Sequence, residues 1–297
     1  MATLAQWVEG ARPRTLPTAI SPVLVGTGAA IGSGTVAPGR ALLALVVAVS
    51  LVIAVNFAND YSDGIRGTDD TRIGPQRLVG SKAAAPAQVR SAAFVGFAVA
   101  GLAGLTLVSL SRQWWLLGVG VLCVVGAWYY TGGKRPYGYA GLGEVAVFVF
   151  FGPVAVLGTV ITQSGAPGPL ALVGAVGVGV LTCAVLVANN LRDIPTDEMA
   201  GKRTLAVLLG DTDTRRLYAA LVVLAFVLSL LSALRSLPMA LGLLALPLAL
   251  TQVRRVLGGA DGRTLIRVLR DTGILLLVWS AATAVGLALG SVVGGLV

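Results

Sequence analysis

The sequence of 297 residues contains no histidine and only two cysteines. Without histidine, the chain lacks the commonest ligand of zinc and copper and the side chain that most often acts as a general base near neutral pH. Cys123 and Cys183 both lie inside apolar segments, where cysteine usually serves as a small buried hydrophobic residue. A metal site in this chain must therefore use hard oxygen ligands, which suit magnesium or manganese.

Charged residues are also scarce. They make up 12% of the sequence, whereas hydrophobic residues make up 56% and the mean hydropathy is +0.87. Soluble domains carry about 25% charged residues, so this composition excludes an ordinary soluble domain and predicts an integral membrane protein. The first ten residues lack a basic segment followed by an apolar core, so they do not resemble a cleaved signal peptide.

Apolar runs long enough to cross a bilayer occur nine times along the chain. A crossing helix needs about 20 predominantly apolar residues. No linker or low-complexity tract divides the sequence, so we expect one all-α membrane domain over residues 1–297, with nine transmembrane helices in one bundle around a central cavity. The predicted crossings are residues 15–33, 40–59, 89–110, 114–130, 142–162, 170–190, 217–234, 239–253 and 273–296.

The positions of the basic residues orient these crossings. With the N-terminus inside, all of the 22 basic residues except Arg40, Arg112 and Arg235 fall on the cytoplasmic side. The positive-inside rule therefore predicts a multi-pass protein of the cell membrane with a cytoplasmic N-terminus and an external C-terminus. The acidic residues lie on or near the same cytoplasmic face, where we expect the active site. This topology also explains the net charge of +9, so no nucleic-acid partner is expected.

Seven of the 13 acidic residues lie in two short clusters, each directly after an apolar run. Spacings of three and four residues place two carboxylates of each cluster on one helix face, provided that the helices continue that far. The clusters contain Asn59, Asp60, Asp63, Asp69 and Asp70, and Asn189, Asn190, Asp193, Asp197 and Glu198.

Crowded carboxylates resist ionisation unless a cation compensates them. Magnesium commonly takes one or two carboxylates and fills its other positions with water and phosphate oxygens. We therefore predict that the two clusters hold magnesium and clamp a diphosphate between them. The alternative is that loop acids are merely solvated or cap helices, which we expect for Asp211 and Asp213.

Basic and aromatic side chains near the clusters complete such a site. Arg77, Arg192 and Lys202 lie within reach of the two motifs, and positive groups there would stabilise the charge of a leaving diphosphate. The inside loop 129–136, which contains Tyr130, mixes aromatic residues and cations at the same face. It fits equally well with a substrate-binding segment and with an interfacial aromatic belt.

The two clusters also suggest an internal repeat. Residues 55–60 resemble residues 187–190, each segment precedes a charged loop, and four predicted crossings separate them. This pattern favours two four-helix halves, plus a ninth helix, that face each other across a cavity.

These motifs resemble those of the UbiA superfamily of intramembrane aromatic prenyltransferases. The segments 59–63 and 193–197 are similar to its two aspartate-rich motifs, and the resemblance covers nearly the whole chain. Residues 11–17, 130–133 and 201–207 are similar to the branch that prenylates 1,4-dihydroxy-2-naphthoate in menaquinone biosynthesis. Many members of the superfamily space the first-motif aspartates by three and four, but here Gly67 takes the last position and Asp69 follows it. This departure matches the naphthoate branch.

The resemblance implies a polyprenyl diphosphate in a lipid-open tunnel, bridged to both motifs by magnesium, with two ions expected and manganese as a substitute. It implies that the aromatic ring is alkylated and then loses carbon dioxide, which gives a demethylmenaquinol. The implied metal ligands are Asp60, Asp63, Asp69, Asp193 and Asp197, of which the last four are also the implied catalytic residues. The implied substrate-binding residues are Asn59, Asn189, Arg77, Arg192, Lys202 and Tyr130.

Two alternatives remain at this level. A prenyltransferase of the same superfamily with a 4-hydroxybenzoate acceptor would keep the metal residues and differ in the acceptor. A secondary transporter is the alternative from another class, because acids within membrane segments and internal repeats also occur there. The gathering of the acids at one face, with almost no ionisable group in the external loops, speaks against transport.

Overall fold

The structure is a computed structural model that describes residues 2–68 and 77–294, with side chains up to residue 290. All regular elements in these ranges are helical. The α-helices are α1 (Leu4–Ala11), α2 (Leu16–Gly32), α3 (Pro38–Arg66), α4 (Pro86–Ser111), α5 (Leu116–Tyr129), α6 (Gly143–Val149), α7 (Ala155–Ser164), α8 (Pro169–Met199), α9 (Leu205–Ala233), α10 (Leu246–Leu257) and α11 (Gly262–Gly294). A π-helical turn, Phe150–Val154, joins α6 to α7, and a 3₁₀ segment, Leu237–Ala245, leads into α10.

Eight helical elements of the described chain are long and apolar enough to cross a membrane. The fourth predicted crossing, 114–130, corresponds instead to α5, which has 14 residues. At about 1.5 Å per residue, α5 is about 21 Å long, whereas the hydrocarbon core is about 30 Å thick. The eight elements are Leu4–Gly32, Pro38–Arg66, Pro86–Ser111, Gly143–Ser164, Pro169–Met199, Leu205–Ala233, Leu237–Leu257 and Gly262–Gly290.

Helices α9 and α11 begin well before the predicted crossings, and α11 begins at Gly262 instead of residue 273. The prediction placed the seventh crossing at 217–234, but α9 begins at Leu205, where the Thr204 side chain accepts a hydrogen bond from the Val207 N–H. A kink at Gly210, with φ of 74° and ψ of 175°, separates this first turn from the rest of α9. Within this extension the Arg215 and Asp211 side chains form an ion pair at 2.6 Å. The apolar runs underestimated the length of these helices, because their polar ends can stay helical with such pairs.

Helix α8 lies at the centre of the bundle and packs against α9, α11 and the α6–α7 element. Close approach depends on small residues, as is common between membrane helices. A Cβ atom at Gly177 would lie 2.2 Å from the ring of the buried Trp279 of α11, and one at Gly179 would lie 2.7 Å from the ring of Phe148 of α6. The helix that carries the second acidic motif is therefore held firmly on several sides.

Both motif helices continue through their carboxylates, as the three- and four-residue spacings required. Helix α3 runs past Asp63 and ends at Arg66. Gly67 caps it with a φ of 73°, the left-handed conformation that glycine adopts readily at a helix C-terminus. Helix α8 runs past Asp197 to Met199. The helical conformation therefore extends through Asp63 on α3 and through Asp193 and Asp197 on α8.

Candidate active site

A cavity of about 740 Å³ runs through the bundle beside α3 and α8. Residues spaced by three and four along α3, from Ala44 to Asp63, line one wall of it. This wall is about 28 Å long, at about 1.5 Å per residue, which is close to the thickness of the hydrocarbon core. The wall is apolar over most of its length and polar at the end nearest Asp63. Predicted site residues gather at that end: Asn59, Asp63, Arg77, Tyr130, Asn189, Arg192, Asp193, Asp197 and Lys202.

Among the carboxylates of the first motif that the structure describes, Asp63 lines the cavity. Its Oδ1 accepts a hydrogen bond of 2.6 Å from the Tyr139 hydroxyl, and its Oδ2 lies 3.4 Å from Lys202 Nζ. One turn earlier on α3, Asn59 Oδ1 accepts a hydrogen bond of 2.8 Å from the Thr131 hydroxyl. The first motif is therefore oriented by the loop that follows α5 and by a lysine that follows α8.

Lys202 joins the two motifs. Its Nζ lies 3.4 Å from Asp63 Oδ2 and 3.9 Å from Asp197 Oδ1, and it also lies 4.7 Å from the centre of the Tyr139 ring. The backbone fixes this placement, because the Lys202 N–H donates to the Asp197 carbonyl at 2.8 Å after the left-handed turn at Gly201. A single cation thus bridges carboxylates that are far apart in sequence.

The second motif is held by its own arginine. Arg192 Nε and Nη2 each donate to Asp193 at 2.7 Å, and both side chains are almost fully buried. Arg192 Nη2 also donates to Asn189 Oδ1 at 2.9 Å. Bidentate pairing of this kind is directional, so it fixes the carboxylate as well as neutralising it.

Comparison with known proteins identifies the family of this chain. The sequence pattern of the UbiA prenyltransferase family matches residues 19–281. The chain belongs to this family. The resemblance inferred from the two aspartate-rich motifs is thereby confirmed.

Relatives of this UbiA-family chain include a curated protein of Mycobacterium tuberculosis named 1,4-dihydroxy-2-naphthoate octaprenyltransferase. It is 59% identical over 290 residues, which cover 98% of this chain and 99% of the relative. A UbiA homologue of Aeropyrum pernix K1 shares the fold with a TM-score of 0.70 at 16% identity, over 89% of this chain and 96% of the homologue. A homologue of Archaeoglobus fulgidus, whose structure was solved with GPP and Mg²⁺, has a TM-score of 0.65 at 13% identity, over 94% of this chain and 99% of the homologue.

Asp60 does not fit the predicted role of a metal ligand. It is fully buried, it lies off the cavity wall, and its two oxygens accept hydrogen bonds from the backbone N–H groups of Leu78 (2.8 Å) and Val79 (3.0 Å). Because both oxygens are engaged by the backbone, this carboxylate holds the segment directly after Arg77, which itself lines the cavity. Asp69, the remaining predicted ligand, lies outside the described residues.

The remaining donor set fits magnesium. Within 2–68 and 77–290, no three acidic or cysteine side chains converge into a ready-made metal cage. Asp63, Asp193 and Asp197 nevertheless line one end of one cavity, and the ammonium group of Lys202 lies between two of them. Magnesium rarely uses an all-protein cage and takes one or two carboxylates together with substrate phosphate oxygens. The arrangement therefore suits an ion that arrives with a diphosphate.

Sequence reasoning missed Tyr139 and the clamp at Arg66. The Arg66 guanidinium donates to the carbonyl oxygens of Thr131 and Gly133, which ties the loop after α5 to the end of α3. Tyr130 and Thr131 of loop 129–136 line the cavity, and a substrate-binding role for this loop stays a prediction. Only the mixture of aromatic and basic residues drew attention to this loop, and nothing in the spacing identified Tyr139.

Tyr139 remains a neutral hydrogen-bond donor in this site. Burial, followed by the neighbouring Asp63 carboxylate, raises the pKa of the Tyr139 phenol well above its ordinary value. Burial also raises the pKa of the nearby Tyr137 to about 12. Both hydroxyls are therefore protonated at neutral pH, and Tyr139 can donate to Asp63 throughout the physiological range.

Removing the Tyr139 hydroxyl is expected to weaken the first motif without unfolding the chain. We expect Tyr139→Phe to lower kcat/KM for prenyl transfer about tenfold and to raise the magnesium concentration for half-maximal rate, because a hydrogen bond to a charged group contributes about 1.5 kcal/mol or more. Tyr129→Phe, at the half-exposed last residue of α5, serves as the control and should change neither value more than about twofold. An unchanged kcat/KM in Tyr139→Phe would exclude the orienting role.

Proposed function

We propose that this chain transfers a polyprenyl group from a polyprenyl diphosphate to 1,4-dihydroxy-2-naphthoate, with loss of carbon dioxide, to give a demethylmenaquinol. The observation that carries this proposal is the pair of acidic helix ends, on α3 and α8, at one end of a long apolar cavity. The named activity of the M. tuberculosis relative, at 59% identity over 98% of this chain, indicates the acceptor.

The chain's own side chains bind the diphosphate at the polar end of the cavity. Arg77, Arg192 and Lys202 line that end and would contact its oxygens, while Asn59 and Asn189 orient the two motifs. Lys202 is well placed for this role. Its ammonium group lies beside Asp63 and Asp197 and can also stabilise the negative charge of the leaving diphosphate.

Asp63, Asp193 and Asp197, together with Asp69, would hold magnesium, which when bound neutralises the diphosphate and makes it a better leaving group. We propose two ions, one associated with each motif, with manganese able to substitute. The A. fulgidus homologue, whose structure was solved with GPP and Mg²⁺, supports the use of magnesium.

The apolar wall supplies the second requirement of the reaction. Cleavage of the allylic carbon–oxygen bond leaves positive charge on the prenyl carbon. The apolar wall excludes water, so that this carbon reacts with the aromatic ring and not with water. A ring carbon then forms the new carbon–carbon bond. The bond from that carbon to the carboxylate breaks, its electron pair returns to the ring, and carbon dioxide leaves. No strong protein base is required, which agrees with a sequence that has no histidine.

We also propose the topology that the sequence favours. All nine apolar helices, α5 included, would cross the cell membrane, with the N-terminus and the active site on the cytoplasmic side and the C-terminus outside. The excess of basic residues in the inside segments supports this orientation. Residues 1–297 would form one domain in contact with membrane lipid, built from two four-helix halves and a ninth helix.

The assay that tests the function uses the purified chain in detergent with a radiolabelled polyprenyl diphosphate and magnesium. We expect prenylation of 1,4-dihydroxy-2-naphthoate with one carbon dioxide released per transfer, and loss of both on addition of a chelator. Prenylation of 4-hydroxybenzoate alone would keep the mechanism and overturn the acceptor. Transfer to neither acceptor would overturn the proposed function.

A further inference from the structure

A buried polar cluster lies beside the cavity and is not used by the diphosphate site. Glu144, in the first turn of α6, is only 8% exposed although it belongs to an apolar element. Its Oε1 accepts a hydrogen bond of 2.9 Å from Asn190 Nδ2, and its backbone carbonyl accepts one of 3.1 Å from Cys183 Sγ. Its Oε2 is buried without a hydrogen-bond partner among the residues that the structure describes.

The carboxyl group fixes which way the Asn190 amide faces. Glu144 Oε1 accepts the hydrogen bond that Asn190 Nδ2 donates, so the Asn190 NH₂ group faces Glu144 and its Oδ1 carbonyl points away from it. Asn190 lines the cavity. The cluster therefore presents a hydrogen-bond acceptor to the cavity rather than a donor.

The cluster lies just inside the diphosphate site. Asn190 precedes Asp193 and Asp197 by three and seven residues on α8, which places all three on one face, with Asn190 about 4.5 Å deeper along the axis than Asp193. The Tyr130 hydroxyl lies nearby, since a Cβ atom added at Gly143 would be 3.2 Å from it. This is the level at which the prenyl carbon next to the diphosphate must meet the aromatic ring.

We propose that Asn190 binds a ring hydroxyl of the aromatic acceptor through its Oδ1, and that Glu144 is the positioning residue that holds the Asn190 amide in this orientation. The inference rests on the proposed function and assigns the acceptor side of the same site. An ionisable group inside a membrane segment is costly and is typical of function rather than packing. The unpartnered Oε2 adds to that cost.

The first test removes the directional constraint without changing the size of the side chain. In Glu144→Gln the new amide can donate to Asn190 Oδ1, so the Asn190 amide can turn its NH₂ group into the cavity. We expect KM for 1,4-dihydroxy-2-naphthoate to rise about tenfold, as for one lost hydrogen bond, while KM for the polyprenyl diphosphate stays within about twofold. An equal rise in both KM values, or in neither, would overturn the proposal.

Thr182→Val is the matched control for this experiment. Thr182 lines the same cavity on the same helix, but its hydroxyl donates to the Val178 carbonyl at 2.8 Å within α8. Both KM values should stay within about twofold of those of the unmodified chain. A tenfold rise in KM for the naphthoate alone in Thr182→Val would show that removing any polar group from the cavity wall has this effect. That result would also overturn the proposal.

The second test needs no turnover and uses Asn190→Ala. Dissociation constants for 1,4-dihydroxy-2-naphthoate and for its two monohydroxy analogues, each lacking one ring hydroxyl, are measured by calorimetry. We expect the unmodified chain to bind one analogue about tenfold more weakly than the parent compound, and Asn190→Ala to reduce that difference to about twofold or less, because the partner of that hydroxyl is already gone. Full discrimination by the variant would overturn the inference.

The two proposals fail in different ways. If the unmodified chain does not prenylate the naphthoate, the proposed function fails whatever the variants do. If the unmodified chain prenylates it and both variants keep their acceptor KM and their discrimination, the proposed function stands and the role of Glu144 and Asn190 is wrong.

Discussion

Replacement of Asp63 or Asp193 by asparagine is expected to lower kcat/KM for prenyl transfer by about 100- to 1,000-fold, the usual cost of removing one group that stabilises developing charge. Each residue lines the polar end of the cavity, and each belongs to a different motif. Asparagine keeps the shape but loses the negative charge, so the magnesium concentration for half-maximal rate should also rise. Initial rates across a magnesium titration measure both effects.

Two further variants sharpen this prediction. The double variant Asp63→Asn, Asp193→Asn should lower kcat/KM by a much smaller factor than the product of the two single-variant factors. The reason is that groups that bind one diphosphate act as a unit. Asp213→Asn is the control, since Asp213 lies at the same end of the molecule but pairs with the exposed Arg216 at 2.9 Å. It should stay within about twofold. Nearly normal turnover in Asp63→Asn or Asp193→Asn would refute the assignment.

The second large effect is expected from Asp60→Asn. Both Asp60 oxygens accept backbone N–H groups, so the amide NH₂ of asparagine would face a donor and leave one buried N–H without a partner. Such a group costs about 1–3 kcal/mol. The segment after Arg77 would lose its anchor, and we expect a lower unfolding temperature together with a loss of about 10- to 100-fold in kcat/KM, as for other supporting residues.

Two readouts separate this positioning role from metal binding. In Asp60→Asn the residual activity should keep the magnesium dependence of the unmodified chain, and the thermal transition in detergent should fall. In Asp63→Asn the magnesium dependence should change and the transition should stay close to that of the unmodified chain. A shifted magnesium dependence with unchanged thermal stability in Asp60→Asn would restore Asp60 as a ligand.

The sequence predicted which segments form this site, but it did not predict which way each side chain points. Asp63, Asp193 and Asp197 were found because helical spacing after an apolar run is a strong pattern, and all three line the cavity. Spacing alone placed Asp60 on the same face as Asp63. The structure separates them, because a segment about 18 residues further along the chain supplies the two N–H groups that bind Asp60.

Residues recruited from other elements were harder to find. Tyr139 and Thr131 reach the first motif from a loop more than 70 residues away in sequence, so no local pattern links them to it. Asn190 was noticed within a repeated motif, but its partner Glu144 lies 46 residues earlier, in an apolar run where a single acid gives no periodic signal. Contacts of this kind follow from helix packing, which periodicity does not describe.

The shortness of α5 has a consequence for the surrounding lipid. This helix buries none of its own residues, lines the cavity, and is preceded by the exposed Trp114 and Trp115, whose rings favour the headgroup level of a bilayer. With α5 as a crossing segment, the bilayer must thin beside it or bend to meet its ends, at a cost of a fraction of a kcal/mol per ångström. In the proposed topology, the thickness and acyl composition of the host membrane therefore act on one wall of the cavity, and the lipid would affect catalysis as well as solvate the protein.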